Sequence, residues 1–303
     1  MPRTKKSDLR NLGTEQANVA TSGLDKRSAR EIAEIINAED RRVVPAVASA
    51  LPEIARGIDI IAAALSAGGR LIYVGAGTSG RIAALDAAEC PPTFNTDPEM
   101  VQFVMSGGEK TLGHPREANE DFSARGRRDI AKRKPGRRDV VVGISASGRT
   151  PYTVAALQYA HSHGAATVAV TNNRASWLER VADIAIVAEV GPEVVAGSTR
   201  MKAGTAQKLI LNMLSTGAMA RLGYVYGNLM VNVHVRNKKL WARGVSILEH
   251  AAGVTRTAAD HALKAAGRSV PVALVMLKAG VSKAEALRRL KVAGGNVRLA
   301  IEG

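Results

Sequence analysis

The sequence predicts an α/β fold with a mostly parallel sheet flanked by helices, followed by a small helical C-terminal domain. Three observations carry that prediction. Short, continuous apolar runs occur at 71–74, 101–105, 140–144 and 167–170, with a further run at 184–187, which is how strands buried on both faces read. The stretches between them are long enough for crossover helices, as parallel pairing requires. Beyond Asn237 no such run recurs, and residues 245–303 show helical spacing broken by Gly267 and Gly280.

In chain order, residues 1–13 read as a basic arm. A helix is expected from Ser28, with Ile32, Ile35 and Ile36 on one face, ending near Asp40. A second long helix is expected from Val44 through Leu51, Ile54, Ile58 and Ile61 to Leu65, stopped by Ser66-Ala67-Gly68-Gly69. The first strand runs into Gly75-Ala76-Gly77-Thr78-Ser79-Gly80 and a helix bearing Ile82, Leu85 and Asp86, which Cys90-Pro91-Pro92 should halt. The segment 198–219 is again helical, with Ser198 or Thr199 available as its cap. These features divide the chain into an N-terminal arm and helix (1–44), an α/β domain (45–236) and the helical C-terminal domain (237–303).

Composition excludes several classes. With 46% hydrophobic and 23% charged residues the chain is globular, and its single cysteine, Cys90, excludes an internal disulfide. With no activating group evident near it in sequence, Cys90 reads as a small buried residue rather than a nucleophile. No apolar run approaches the roughly 18 residues of a membrane helix. The basic start has no apolar segment behind it and does not read as a secretory signal, leaving the cytoplasm as the expected compartment. The net charge is +15, densest at Arg125, Arg127, Arg128, Lys132, Arg133, Lys134, Arg137 and Arg138, where a solvated helix and loop account for it. With two Trp, five Tyr and three Phe and no nucleic-acid-binding motif, nucleic acid is not the expected partner. The charge suits instead the steering of an anionic small molecule. His161 and His163 fall on different faces of a helix and the other histidines are scattered, so no metal site is expected.

The loop at 75–80 satisfies the G-x-G-x-x-G pattern, in which glycines let the backbone approach an anion resting on a helix N-terminus. A dinucleotide site would need an acidic residue about 20 residues on, and the next strand ends Val104-Met105-Ser106 without one. The loop offers Thr78 and Ser79 instead, whose hydroxyls can join backbone donors around a phosphate. The strand at 140–144 repeats the arrangement, running into Ser145-Ala146-Ser147-Gly148-Arg149-Thr150-Pro151. Turn and cap chemistry explains either loop alone, whereas two hydroxyl-rich loops at the same sheet edge point to a phosphate site. Among carboxylates, Glu89 lies on the helix after the first loop, and its spacing makes it a surface residue. Glu117, Glu120 and Asp121 lie in a polar stretch whose simplest reading is a solvated face.

Four segments carry a resemblance: Gly75 to Arg81, Ala88-Glu89-Cys90-Pro91-Pro92-Thr93, Ala146-Ser147-Gly148-Arg149-Thr150-Pro151-Tyr152, and Gly191-Pro192-Glu193-Val194-Val195. Together with Ser198-Thr199-Arg200-Met201-Lys202-Ala203-Gly204-Thr205-Ala206-Gln207-Lys208-Leu209, they resemble the N-acetylmuramic acid 6-phosphate etherases, a family of sugar isomerase (SIS) domain proteins. The similarity extends from about Thr14 to the helical C-terminus. It implies an SIS fold, a homodimer, a cytoplasmic place in cell-wall recycling, a small sugar phosphate as partner, and no metal or redox cofactor. It implies lyase chemistry that releases D-lactate and N-acetylglucosamine 6-phosphate. An ordinary ether resists hydrolysis, but in the ring-opened sugar the C2 hydrogen lies beside an aldehyde. A base removes it, lactate leaves C3, and water adds back, so one acid and one base are needed.

By resemblance Glu89 is the acid, which overrides its surface reading, and Glu120 is the C2 base. Thr78, Ser79, Ser145, Ser147 and Thr150 hold the phosphate. Where the family has Val-Glu-Gly-Ala-Glu-Asp, this chain has Arg116-Glu117-Ala118-Asn119-Glu120-Asp121, keeping both glutamates and the aspartate. Two alternatives share the phosphate loops: a sugar-phosphate-sensing regulator similar to glucokinase regulatory protein, against which both glutamates argue, and an aldose-ketose isomerase, which would release no lactate.

Overall fold

The structure, a computed structural model of the chain, describes residues 12–114, 120–233, 235 and 237–303. The chain divides into two compact units, Met1–Ala87 with Val101–Leu214, and Ala88–Met100 with Ser215–Gly303.

In the first unit, α1 (Ala29–Asp40) starts where the sequence places it. Ser28 accepts a hydrogen bond from the Glu31 amide while the Glu31 carboxylate accepts from the Ser28 amide, so two otherwise orphaned donors are satisfied. The single helix expected next is two, α2 (Val43–Ala48) and α3 (Leu51–Ser66). Proline is the cause: Pro52 lies in the first turn of α3 and has no N–H to carry the helix across, and Ala50, the N-cap two residues before it, leaves helical geometry (φ −104°, ψ 8°).

All five expected strands form, β1 (Leu71–Gly75), β2 (Val101–Met105), β3 (Val140–Ser145), β4 (Ala166–Thr171) and β5 (Ile184–Val187), and every pairing among them is parallel. Their order is β2-β1-β3-β4-β5. On one face Ile72, Val74, Val104, Val141 and Ala169 pack under α5 (Ser123–Ala131), α6 (Pro151–Ser162) and α7 (Trp177–Arg180), through Ile130, Tyr152, Leu157 and Leu178. The alternate side chains face the other way, where α3 lies against β1, β3 and β5. The β1 and β3 strands are buried along their whole lengths, which explains their unbroken apolar runs.

The helix after β1, α4 (Gly77–Phe94), does not stop at Cys90: it includes Pro91 and Pro92. Two helical hydrogen bonds are lost there, but both prolines fall in the last turn. The helix closes with the Asn95 amide on Pro91 O (2.9 Å), and Asn95 then adopts a left-handed conformation (φ 52°) that an asparagine tolerates. Cys90 is buried and forms no disulfide. The helix expected from 198 begins at Lys202 (α8, Lys202–Arg221), because its cap comes from elsewhere: the buried Glu193 carboxylate accepts from the Lys202 and Ala203 amides at 3.0 and 2.9 Å.

The second unit holds a two-residue hairpin, β6 (Val225–Tyr226) with β7 (Leu229–Met230), too short to leave a periodic trace in sequence. Five helices follow: α9 (Lys238–Ala252), α10 (Arg256–Ala265), α11 (Val270–Ala279), α12 (Lys283–Val292) and α13 (Val297–Glu302). Each begins on a side-chain cap, from Asn237, Thr255, Ser269, Ser282 and Asn296 in turn. Their buried faces meet in one core that includes Leu248, Leu263, Leu274 and Val297.

Candidate functional site

The strand order 2-1-3-4-5 reverses between β1 and β3, and at such a switch point the carboxyl ends of the strands open a crevice. The two hydroxyl-rich loops leave the sheet there. From β1 the chain turns through Gly77 (φ 54°) into α4, whose first helical bond runs from the Gly80 amide to Ala76 O. The amides of Gly77, Thr78 and Ser79 therefore have no acceptor within the helix, an anion-binding arrangement. A Cβ on Gly77 would lie 2.8 Å from Glu120 Oε1, so the missing side chain is what lets that carboxylate approach the start of α4.

From β3 the loop closes on its own hydroxyls. Ser145 Oγ contacts Thr150 Oγ1 at 2.8 Å and Ser147 Oγ at 3.4 Å, and accepts from the Gly148 amide at 3.1 Å; Ser147 Oγ accepts from the Arg149 amide at 3.2 Å. Thr150 sits at the N-cap of α6 but its hydroxyl makes no capping bond. Turn chemistry thus uses lone pairs of Ser145 and Ser147. It does not consume the hydroxyl hydrogens, since three hydroxyls share only two mutual contacts and leave at least one hydrogen to donate.

A cavity of about 460 Å³ lies between the loops, lined by Thr78, Ser79, Glu120, Ser145, Ser147 and Thr150. The Glu120 side chain is half-buried there, and its carbonyl accepts from the Tyr152 amide (3.1 Å), tying the residue to the start of α6. Asp121 also lines the cavity, whereas Glu117 lies outside the described residues. Arg81 lines it with its guanidinium turned to the Leu112 and Thr111 carbonyls, at 2.9 and 3.1 Å. Glu89 is exposed on α4 and is not among the lining residues. Among the described residues no group of three or more His, Cys, Asp or Glu could hold a metal ion, and no helix is long and apolar enough to cross a membrane.

Three features of the cavity escaped sequence reasoning. Glu15 lines it, carried there by the N-terminal segment: buried Thr14 accepts from Asn173 Nδ2 (3.0 Å), Thr21 donates to Val194 O (2.9 Å), and Asn18 donates to Glu39 (2.8 Å). Glu39 in turn holds the fully buried Lys202 at 2.5 Å. Burial pushes the Glu39 carboxyl up, but the bonds from Lys202 and Asn18 outweigh it and hold the group below the usual carboxylate range. In Glu193 the balance is reversed, and burial raises the carboxyl despite the two amides on it. Ser106 is the second feature, a buried hydroxyl at the wall of the cavity with no hydrogen-bond partner among the described residues. Its place as the first residue after β2 was the available signal. The third is a buried chain behind Ser79: its hydroxyl donates to Gln207 Oε1 (2.9 Å), Gln207 Nε2 to Asn172 Oδ1 (3.1 Å), and Asn172 Nδ2 to Ala188 O (2.9 Å).

Comparison with known proteins connects this geometry to a family. A model of the glucokinase regulatory protein N-terminal SIS domain matches residues 53–161, and a model of the SIS domain matches residues 134–217. The chain is 49% identical to an N-acetylmuramic acid 6-phosphate etherase of Klebsiella aerogenes, over 97% of this chain and 98% of that protein. It is 55% identical to that of Symbiobacterium thermophilum over 90% and 91%. With that of Mycolicibacterium smegmatis the identity is 48% over 97% and 99%. At this identity along nearly its whole length, the chain belongs to the N-acetylmuramic acid 6-phosphate etherase family.

Proposed function

We propose that this protein is a carbon–oxygen lyase that cleaves the D-lactyl ether of N-acetylmuramic acid 6-phosphate, giving N-acetylglucosamine 6-phosphate and D-lactate. The observation that carries the reading is the single cavity at the switch point, where a hydroxyl-rich loop, the start of α4 and the Glu120 carboxylate lie together. The hydroxyls of Ser145, Ser147 and Thr150 and the amides at Thr78 and Ser79 take the phosphate, with the α4 dipole favouring its charge. That anchors one end of the open-chain sugar. Glu120 removes the C2 proton, which is acidified by the C1 aldehyde, and the C3–O bond breaks as the electron pair shifts into the C2–C3 double bond. Glu89 protonates the departing lactyl oxygen, a role that rests on the family's pattern at 88–93. Water then adds at C3 and a proton returns to C2. Every step is a proton transfer, an elimination or an addition, so the reaction calls on protein groups and water alone. The enzyme is a cytoplasmic homodimer in amino-sugar recycling from the cell wall.

A second reading has one observation in its favour, the match of residues 53–161 to the glucokinase regulatory protein SIS domain. A ligand sensor of this fold would bind the sugar phosphate without turning it over. The reaction in ¹⁸O-labelled heavy water tests the lyase reading: elimination and addition leave a solvent deuterium on C2, which direct displacement by water at C3 would not. Elimination and addition place the solvent oxygen on C3 of the sugar and leave the lactate unlabelled, by mass spectrometry of both products. Label in the lactate would contradict the mechanism, and binding without any product would favour the sensor.

A further inference from the structure

The chain behind Ser79 has a fixed direction. Ala188 O can only accept, so the Asn172 side chain must meet it with Nδ2, at 2.9 Å. Asn172 Oδ1 is then an acceptor toward Gln207, which must present Nε2 at 3.1 Å, and this turns Gln207 Oε1 toward Ser79. Only the Ser79 hydroxyl hydrogen can fill that 2.9 Å contact. Turning both amides over would set Asn172 Oδ1 against Ala188 O with no hydrogen between them. Asn172 and Gln207 are 3% and 1% exposed, which leaves no room for water to relieve such a conflict.

Ser79 has one hydroxyl hydrogen, and it is spent. What its oxygen offers the cavity is lone pairs, and a phosphate oxygen offers the same, so the two repel. The loop at 145–150 is the opposite case, with at least one hydrogen left to give. Resting on the reading of the cavity as a sugar-phosphate site, we infer that the Ser79 hydroxyl accepts a hydrogen bond from a hydroxyl or acetamido N–H of the sugar. Gln207 and Asn172 are positioning residues that hold it in that state. On this inference Ser79 serves the phosphate through its backbone amide at the start of α4, and its hydroxyl serves the sugar.

Calorimetric titration of the full-length protein with inorganic phosphate and with N-acetylglucosamine 6-phosphate tests this. In Ser79→Ala the affinity for inorganic phosphate stays within about twofold while that for the sugar phosphate falls about tenfold, the scale of one hydrogen bond. Gln207→Met, which keeps the bulk but frees the Ser79 hydrogen, binds inorganic phosphate as well or better and loses the sugar increment. Thr150→Val weakens both ligands alike. Circular dichroism and melting temperature establish that each variant is folded. Equal weakening of both ligands by Ser79→Ala, or a sugar increment kept in that variant, overturns the inference while leaving the sugar-phosphate reading intact. Wild-type protein that gains nothing from the sugar overturns both.

Discussion

At the scale of the residue, the two glutamates separate what the fold gives from what the family gives. Glu120 faces the cavity because the glycine at 77 leaves space for it and because its carbonyl is tied to the start of α6. Neither cause is readable from its neighbours in sequence, where it sits in a charged, polar run. Glu89 is exposed, as its spacing beside two prolines suggests, and only the resemblance gives it a chemical task. The proposed roles predict different losses. Glu89→Gln should stop lactate release while exchange of the substrate C2 hydrogen with heavy water, followed by NMR, continues; Glu120→Gln should stop both. Loss of exchange in a folded Glu89→Gln protein, or its survival in Glu120→Gln, would assign the base elsewhere.

At the scale of the element, the strands were legible because burial on both faces leaves an unbroken apolar run, and α1 because Ile32, Ile35 and Ile36 recur at helical spacing. The failures share a cause. Whether proline ends a helix depends on where in the helix it falls: Pro52 opens α3, whereas Pro91 and Pro92 sit in the final turn of α4 and are carried. The start of α8 is set by Glu193, distant from it in the chain, so local caps at 198 and 199 misplace it. The sheet carries a pH prediction of its own. Asp139, before β3, accepts from the Arg70 amide (2.9 Å) and guanidinium (3.1 and 2.8 Å) and from the Gly136 amide (3.0 Å), joining it to the entry of β1. Burial pushes its carboxyl up, and the Arg70 and Gly136 bonds outweigh that and hold it below its usual value of 3.8. A carboxyl lowered by folding stabilises above its unfolded pKa, and that contribution is lost as pH falls through the lower folded value. Glu39 acts in the same sense and Glu193 in the opposite one. Thermal melts should therefore show Asp139→Asn closing part of its stability deficit against wild type as pH drops below about 4. A deficit constant down to pH 2 would remove the linkage.

At the scale of the whole molecule, composition excluded whole classes of function, and the α/β-then-helical organisation followed from where the apolar runs stop. The strand order did not, since four parallel crossovers are compatible with several orders, and the switch point that opens the cavity depends on it. The charge of +15 fits the steering of a substrate with two anionic groups, a phosphate and a carboxylate. The central claim is that the cavity takes this phosphate and that the protein then breaks the lactyl ether. It is tested most directly by coupled-enzyme detection of D-lactate from N-acetylmuramic acid 6-phosphate, with the unphosphorylated sugar as control. The account predicts release from the phosphorylated sugar and, from the control, release lower by orders of magnitude. No lactate from either, in protein that still binds the sugar phosphate, or equal release from both, would contradict it.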